Sequence, residues 1–85
     1  MKADVKRKVH SRPDVNIGKK GLTESVIKEI KKRVEKEGII KVKINKNIRK
    51  EGFDRKVFAE QLARATGTEI VDLRGYTVIL RKKRQ

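Results

Sequence analysis

The sequence predicts an α/β chain of the α+β kind, a two-layer sandwich of order βαβαββ whose four-stranded mixed sheet carries helices on one face. Two stretches repeat apolar residues at helical spacing and end in glycine. Four short stretches alternate apolar with polar residues, as half-buried strands do. The first strand, first helix and second strand follow one another as a crossover unit, for which a right-handed path is expected. A chain of 85 residues with 35% hydrophobic content holds one such domain, not two.

The elements follow in order. Residues 1 to 12 form a basic arm in which Val5 and Val9 allow at most a short helix before Pro13. Asp14 to Ile17 reads as a strand with Val15 and Ile17 on one face, closed by Gly18. Thr23 caps a helix whose apolar stripe is Leu22, Val26, Ile27, Ile30 and Val34, and Gly38 ends it. Glu24 with Lys28, and Glu29 with Arg33, stand four apart on its outer face, each pair worth about 0.3 kcal/mol. Ile39 to Ile44 alternates, with Ile40, Val42 and Ile44 on one side and Lys41 and Lys43 on the other. Asn45 to Gly52 is a loop. Asp54 then caps a second helix between Phe53 and Phe58, placed as a hydrophobic staple. That helix is expected to carry Val57, Phe58, Leu62 and Ala65 inward, and Gly67 closes it. Glu69 to Leu73 and Thr77 to Arg81 form a hairpin turning near Gly75 and Tyr76, with Val71, Leu73, Val78 and Leu80 sharing a face. The folded domain is thus residues 13 to 82, and 83 to 85 form the end of a basic tail.

There is no cysteine, which removes a disulfide framework or zinc ribbon and suits a reducing, cytoplasmic setting. No apolar run approaches the ~20 residues of a membrane span, and no secretory signal stands at the N-terminus. A soluble protein with no membrane partner is expected.

Charge is the largest anomaly. The net charge is +14, and self-repulsion on that scale points to a polyanionic partner. The excess is segregated: residues 1 to 12 and 41 to 51 each hold five Lys or Arg against one acid, residues 81 to 84 hold four against none, and Lys19 and Lys20 stand together. Residues 52 to 75 are balanced at four of each sign. Enrichment in Lys and Glu with few Asn, Gln, Met and Cys is also a thermophile composition, but ion-pair networks call for balance, not excess.

The supply of catalytic groups is poor. His10 is the only histidine, no cysteine exists, and the carboxylates are spaced against lysines or placed to cap helices. No enzyme activity, metal, cofactor or small-molecule substrate is expected. The sharpest feature is Gly18-Lys19-Lys20-Gly21, between a strand and a helix N-terminus, where freed N–H groups and the helix dipole suit a phosphate. Two glycines let a nucleic-acid backbone approach, and two lysines add charge. The spacing is neither a Walker loop nor a dinucleotide fingerprint. Phe53 and Phe58 belong with the core, which leaves Tyr76 as the one candidate stacking platform and disfavours an RRM-like sheet.

The run from Gly18 to Ile30, then Ile40 to Ile44, then Ala65-Thr66-Gly67-Thr68, then Gly75 to Leu80, resembles the CRM domain, the chloroplast RNA splicing and ribosome maturation module. Prokaryotes have it as a stand-alone YhbY-like protein. The resemblance runs from about Pro13 to Lys82 and implies a sheet with helices similar to the C-terminal domain of translation initiation factor three. It implies binding to structured RNA, with precursor large-subunit ribosomal RNA and its precursor particle as partners. Its Gly-x-x-Gly loop maps onto Gly18, Lys19, Lys20 and Gly21. Two departures stand out: the N-terminal helix is shortened, and Tyr76 and Arg81 occupy positions where the family often has a basic residue and an aromatic one.

Lys41, Lys43, Arg49 and Lys50 are expected to support the loop on RNA, together with the tail Arg81, Lys82, Lys83 and Arg84. DNA is the other partner the charge would accept. An Alba-type chromatin protein shares the βαβαββ plan and resembles this chain at Val15 to Lys20, but it extends a long arm where this hairpin is short. A basic ribosomal component is a third reading. A KH domain places its Gly-x-x-Gly loop between two helices instead.

Overall fold

Alternation in the first two strands produces two apolar rows that have to be buried together. The computed structural model describes residues 12–48 and 52–83. In it β1 (Val15–Ile17) pairs in parallel with β2 (Ile39–Ile44), Val15 opposite Val42 and Ile17 opposite Ile44. A parallel pair needs a crossover, and α1 (Glu24–Glu37) supplies it. The Thr23 hydroxyl accepts the Val26 N–H at its start, and the Gly38 N–H donates to the Val34 carbonyl at its end. Ile30 and Val34 are buried, with Leu22 and Val26 packed beside them. On the outer face Arg33 bonds Glu29 at 3.0 Å, and Lys28 lies 3.9 Å from Glu24.

The second half adds α2 (Arg55–Thr66) and a hairpin of β3 (Thr68–Arg74) and β4 (Thr77–Lys82). β4 inserts antiparallel between β2 and β3, giving a mixed sheet of order β1-β2-β4-β3. Ile40, Val42 and Ile44 of β2 and Val78 and Leu80 of β4 are fully buried in the two central strands, against Ile30 of α1 and Leu62 of α2. Each such side chain contributes about 1.5–3 kcal/mol relative to exposure. This is the expected α+β sandwich with a four-stranded mixed sheet. No helix among the described residues is long and apolar enough to cross a membrane.

Two expectations need correction. The buried stripe of α2 is Ala59, Leu62, Ala63 and Thr66, whereas Val57 is 49% exposed and Phe58 and Ala65 are only half-buried. Val57 lies two residues before Ala59, about 200° around the helix, so the two cannot share a face. Large apolar residues suggested a stripe that the small ones set. The shared hairpin face is the second correction. The register jumps from Ile70 opposite Leu80 to Asp72 opposite Ile79, a bulge that leaves Val71 without a facing residue. Leu73, Val78 and Leu80 join the core cluster, and Val71 does not. At the α2–β3 junction the buried Thr66 hydroxyl bonds the Leu62 carbonyl at 2.8 Å and the Thr68 hydroxyl at 2.9 Å, so neither threonine is unsatisfied.

These placements predict opposite responses on one helix. Leu62→Ala should lose about 2–5 kcal/mol in urea unfolding followed by circular dichroism, and Val57→Ser should stay within about 0.5 kcal/mol of the parent.

Candidate nucleic-acid interface

Parallel pairing sends the C-terminal ends of β1 and β2 to the same edge of the sheet. The antiparallel β4 brings its own starting turn there. The Asn45 N–H donates to the Ile17 carbonyl at 3.0 Å and the Ile44 N–H to the Tyr76 carbonyl at 2.7 Å. Three connections therefore meet at one edge: the turn after β1, the loop after β2 and the hairpin turn. Both helices start at this edge as well, so the positive ends of their dipoles point to it.

The loop after β1 is a β-turn in which the Gly21 N–H donates to the Gly18 carbonyl at 2.9 Å. Lys19 and Lys20 hold its two central positions, both exposed. Neither forms an ion pair among the described residues, and their backbone N–H groups, with that of Leu22, find no acceptor there. Gly21 has φ 72, a left-handed conformation that disfavours a side chain. Gly18 has no positive φ, and a Cβ built on it would meet nothing within 4 Å. Packing among the described residues does not ask for glycine at position 18.

The neighbouring segments add cations. Lys46 opens a short 3-10 turn (Lys46–Ile48) and is exposed, while the Asn45 side chain accepts the Asn47 N–H at 2.9 Å. Arg55, the first residue of α2, donates from Nη1 to the Gly75 carbonyl at 2.8 Å. Arg74 ends β3 and bonds Asp72 through Nε at 2.9 Å. Among the other carboxylates here, Glu24 at the start of α1 lies 3.9 Å from Lys28, and Asp54 accepts the N–H groups of Lys56 and Val57 at 2.9 and 3.2 Å and so is committed as a helix cap. Phe53 and Phe58 form the expected staple with centroids 5.4 Å apart, and Tyr76 packs on Phe53 at 6.3 Å.

Lys43 stands exposed on the helix-free face, opposite Thr77 in β4 and Asn16 in β1. Lys41 lies further along that face, half-buried, its N–H donating to the Asp14 carboxylate at 2.8 Å. With Arg74, Thr77 and Ile79 it lines a shallow depression. Ile79 alternates away from the core residues Val78 and Leu80 yet is only 2% exposed, its register neighbours being Lys41 and Asp72.

The structure thus brings together Gly18, Lys19, Lys20, Gly21 and Lys43, with Lys41 alongside. It does not bring the tail with them. Arg81 lies opposite Ile39 at the far end and bonds Glu69 at 2.7 Å, and Lys82 bonds Glu35 at 2.8 Å, with Lys83 beyond. From Thr77 to Lys82 the strand runs roughly 17 Å, about two screening lengths at physiological salt. The two sets of charge act separately. Arg49, Lys50 and Arg84 lie outside the described residues. Sequence reasoning passed over Arg55 and Arg74 because they lie in a stretch with no net charge, and it counted Lys46 only as part of a basic run. The hairpin turn was the signal available: it predicts that β4 starts, and β3 ends, beside the end of β2.

Comparison with known proteins agrees with this architecture. The family model of the CRS1 / YhbY (CRM) domain matches residues 2–82, which takes in most of the basic arm. A Methanocaldococcus jannaschii protein named a probable RNA-binding protein is 36% identical over 86 residues. The match covers 100% of this chain and 63% of that protein, so the chain spans less than two thirds of its relative. The solution structure of a hypothetical Staphylococcus aureus protein, described as a candidate RNA binder, superimposes with TM-score 0.75 at 28% identity, covering 99% of this chain and 84% of the other.

Proposed function

Because the chain belongs to the CRS1 / YhbY (CRM) domain family, we propose that it is a non-catalytic RNA-binding protein that holds structured RNA at the Gly18–Gly21 edge. The observation that carries this reading is the turn itself. Among the described residues it presents two lysines with no carboxylate partner and N–H groups with no acceptor, between a strand and a helix N-terminus, with Lys43, Lys46, Arg55 and Arg74 on the same edge. A phosphate there gains N–H donors, ammonium charge and two helix dipoles at once. Gly18 supports the reading independently. Since nothing among the described residues requires glycine at that position, the missing side chain is read as serving what approaches from outside. The two relatives described as RNA binders agree with the chemistry.

The finer target we propose is precursor large-subunit ribosomal RNA, in the cytoplasm, during particle assembly. Phosphate contacts dominate such an interface, so shape and not base sequence sets the choice of RNA. Arg81 and Lys82 make the smaller contribution because a phosphate must displace Glu69 and Glu35 to reach them.

Four outcomes follow. Changing Lys19 and Lys20 together to Ala should weaken binding to unrelated RNAs alike and lower the log-log salt slope by about 0.7 per lost contact to a single strand; an unchanged slope removes the turn from the interface. Gly18→Ala should hold its unfolding free energy within about 0.5 kcal/mol while weakening RNA binding. Gly21→Ala should instead lose about 1 kcal/mol or more of stability, from its positive φ. Crosslinking in cells, with sequencing of the attached nucleic acid, should recover precursor ribosomal RNA; recovery of genomic DNA or of mature subunits alone would contradict the target.

A further inference from the structure

The hairpin turn carries an aromatic residue that the geometry of its backbone does not require. Three large apolar residues among those described are conspicuously exposed, Val57, Ile70 and Tyr76, and Tyr76 is the only one on a turn. A two-residue turn with glycine first, φ 55 at Gly75 and no positive φ at position 76, matches a Gly-X hairpin turn and asks for nothing aromatic at its second position. We propose that Tyr76 is a base-stacking residue, and that the RNA held at this edge presents an unpaired nucleotide next to the phosphates gripped by Lys19 and Lys20. The proposal rests on the RNA-binding reading above and narrows its substrate class.

Three observations carry it. The ring is 39% exposed although Phe53 supports it, at a centroid separation of 6.3 Å and a tilt of 41°, within the range of favourable aromatic pairs. Its backbone is clamped on both sides of the turn: the Tyr76 carbonyl accepts the Ile44 N–H at 2.7 Å, and the Gly75 carbonyl accepts from Arg55 at 2.8 Å. A platform held in place before the base arrives loses less ordering entropy on binding. Finally, the turn that carries the ring is close to the turn that carries Lys19 and Lys20. Consecutive N–H groups where β2 ends, those of Ile44 and the following Asn45, bond Tyr76 on one side and Ile17 on the other, so the two turns stand two strand spacings apart, about 10 Å. One RNA strand can reach both.

Bases inside a duplex are stacked on each other and offer no face to a ring; bases in bulges, loops and ends do. Stacking also tolerates any base, which fits an edge that otherwise reads phosphate. Substrates of this site are therefore helices interrupted by an unpaired nucleotide, not continuous duplexes.

The test uses two RNA hairpins identical except that one carries a single bulged 2-aminopurine. Parent, Tyr76→Phe and Tyr76→Leu proteins are compared by anisotropy and by 2-aminopurine fluorescence. The parent and the phenylalanine variant should prefer the bulged RNA by about 5- to 100-fold and quench its fluorescence. The leucine variant should bind both RNAs as the parent binds the paired one. Equal affinity of the parent for both RNAs, or a preference kept by the leucine variant, overturns the stacking role and leaves salt-dependent RNA binding intact. Quenching in the parent reads the contact without any substitution, so its absence also overturns the role. Failure of every protein to bind either RNA at low salt is a different result, since it overturns the RNA-binding reading itself.

Discussion

Ile17 and Ile44 end a parallel strand pair, and the position of every group at the basic edge follows from that pairing. An antiparallel β1 would have carried the Gly18–Gly21 turn to the opposite end of the sheet, away from Lys46 and the hairpin turn. The parallel arrangement requires a helix between the strands, and that helix must begin where β1 ends. Turn, helix N-terminus and β2 loop are thereby gathered by the path of the backbone. The β4 strand completes the arrangement, because inserting it antiparallel beside β2 brings the Gly75-Tyr76 turn to the same place.

Charge is distributed over this frame in two unlike ways. At the far end and along α1, three cations meet carboxylates, Arg81 with Glu69, Lys82 with Glu35 and Arg33 with Glu29, while Lys31, Lys32 and Lys36 lie exposed on α1. Exposed pairs of this kind are worth little, but they neutralise what they hold. At the loop edge Asp54 is taken by a helix cap, Asp72 by Arg74 and Glu24 lies 3.9 Å from Lys28, and among the described residues the lysines of the turn have no such partner. Lys19, Lys20, Lys43 and Lys46 thus stand exposed and close together at one edge. Such an edge suits a polyanion's backbone better than a compact substrate.

Much of this was legible in the amino-acid sequence, for reasons that differ by element. Both helices carry their stop and start signals in the chain: Thr23 and Asp54 as caps, Gly38 and Gly67 as ends, and Phe53 with Phe58 as a staple. The strands β1 and β2 alternate cleanly, so their buried rows were readable residue by residue. The α2 stripe was not, because Ala59 and Ala63 bury little surface and look neutral beside Val57. The bulge at Val71 was invisible, since a register shift depends on the partner strand and leaves no mark in composition. For the binding edge, Lys19, Lys20 and their glycines were plain. Arg55 and Arg74 were hidden among acids nearby in sequence, and only the topology shows that they share an edge with the loop. The same topology separates Arg81 and Lys82 from that edge, which a list of basic runs cannot do.

The central claim is that one edge of the sheet, and not the basic residues at large, meets RNA. A titration of the ¹⁵N-labelled protein with a folded RNA hairpin, read amide by amide, tests it most directly. The largest shifts should fall on Gly18 to Leu22, Lys46 and Gly75 to Tyr76, with Arg81 to Lys83 and the outer face of α1 changing little. Shifts concentrated on Arg81 to Lys83 or on Lys32 and Lys36, with the glycine turn silent, would contradict the account.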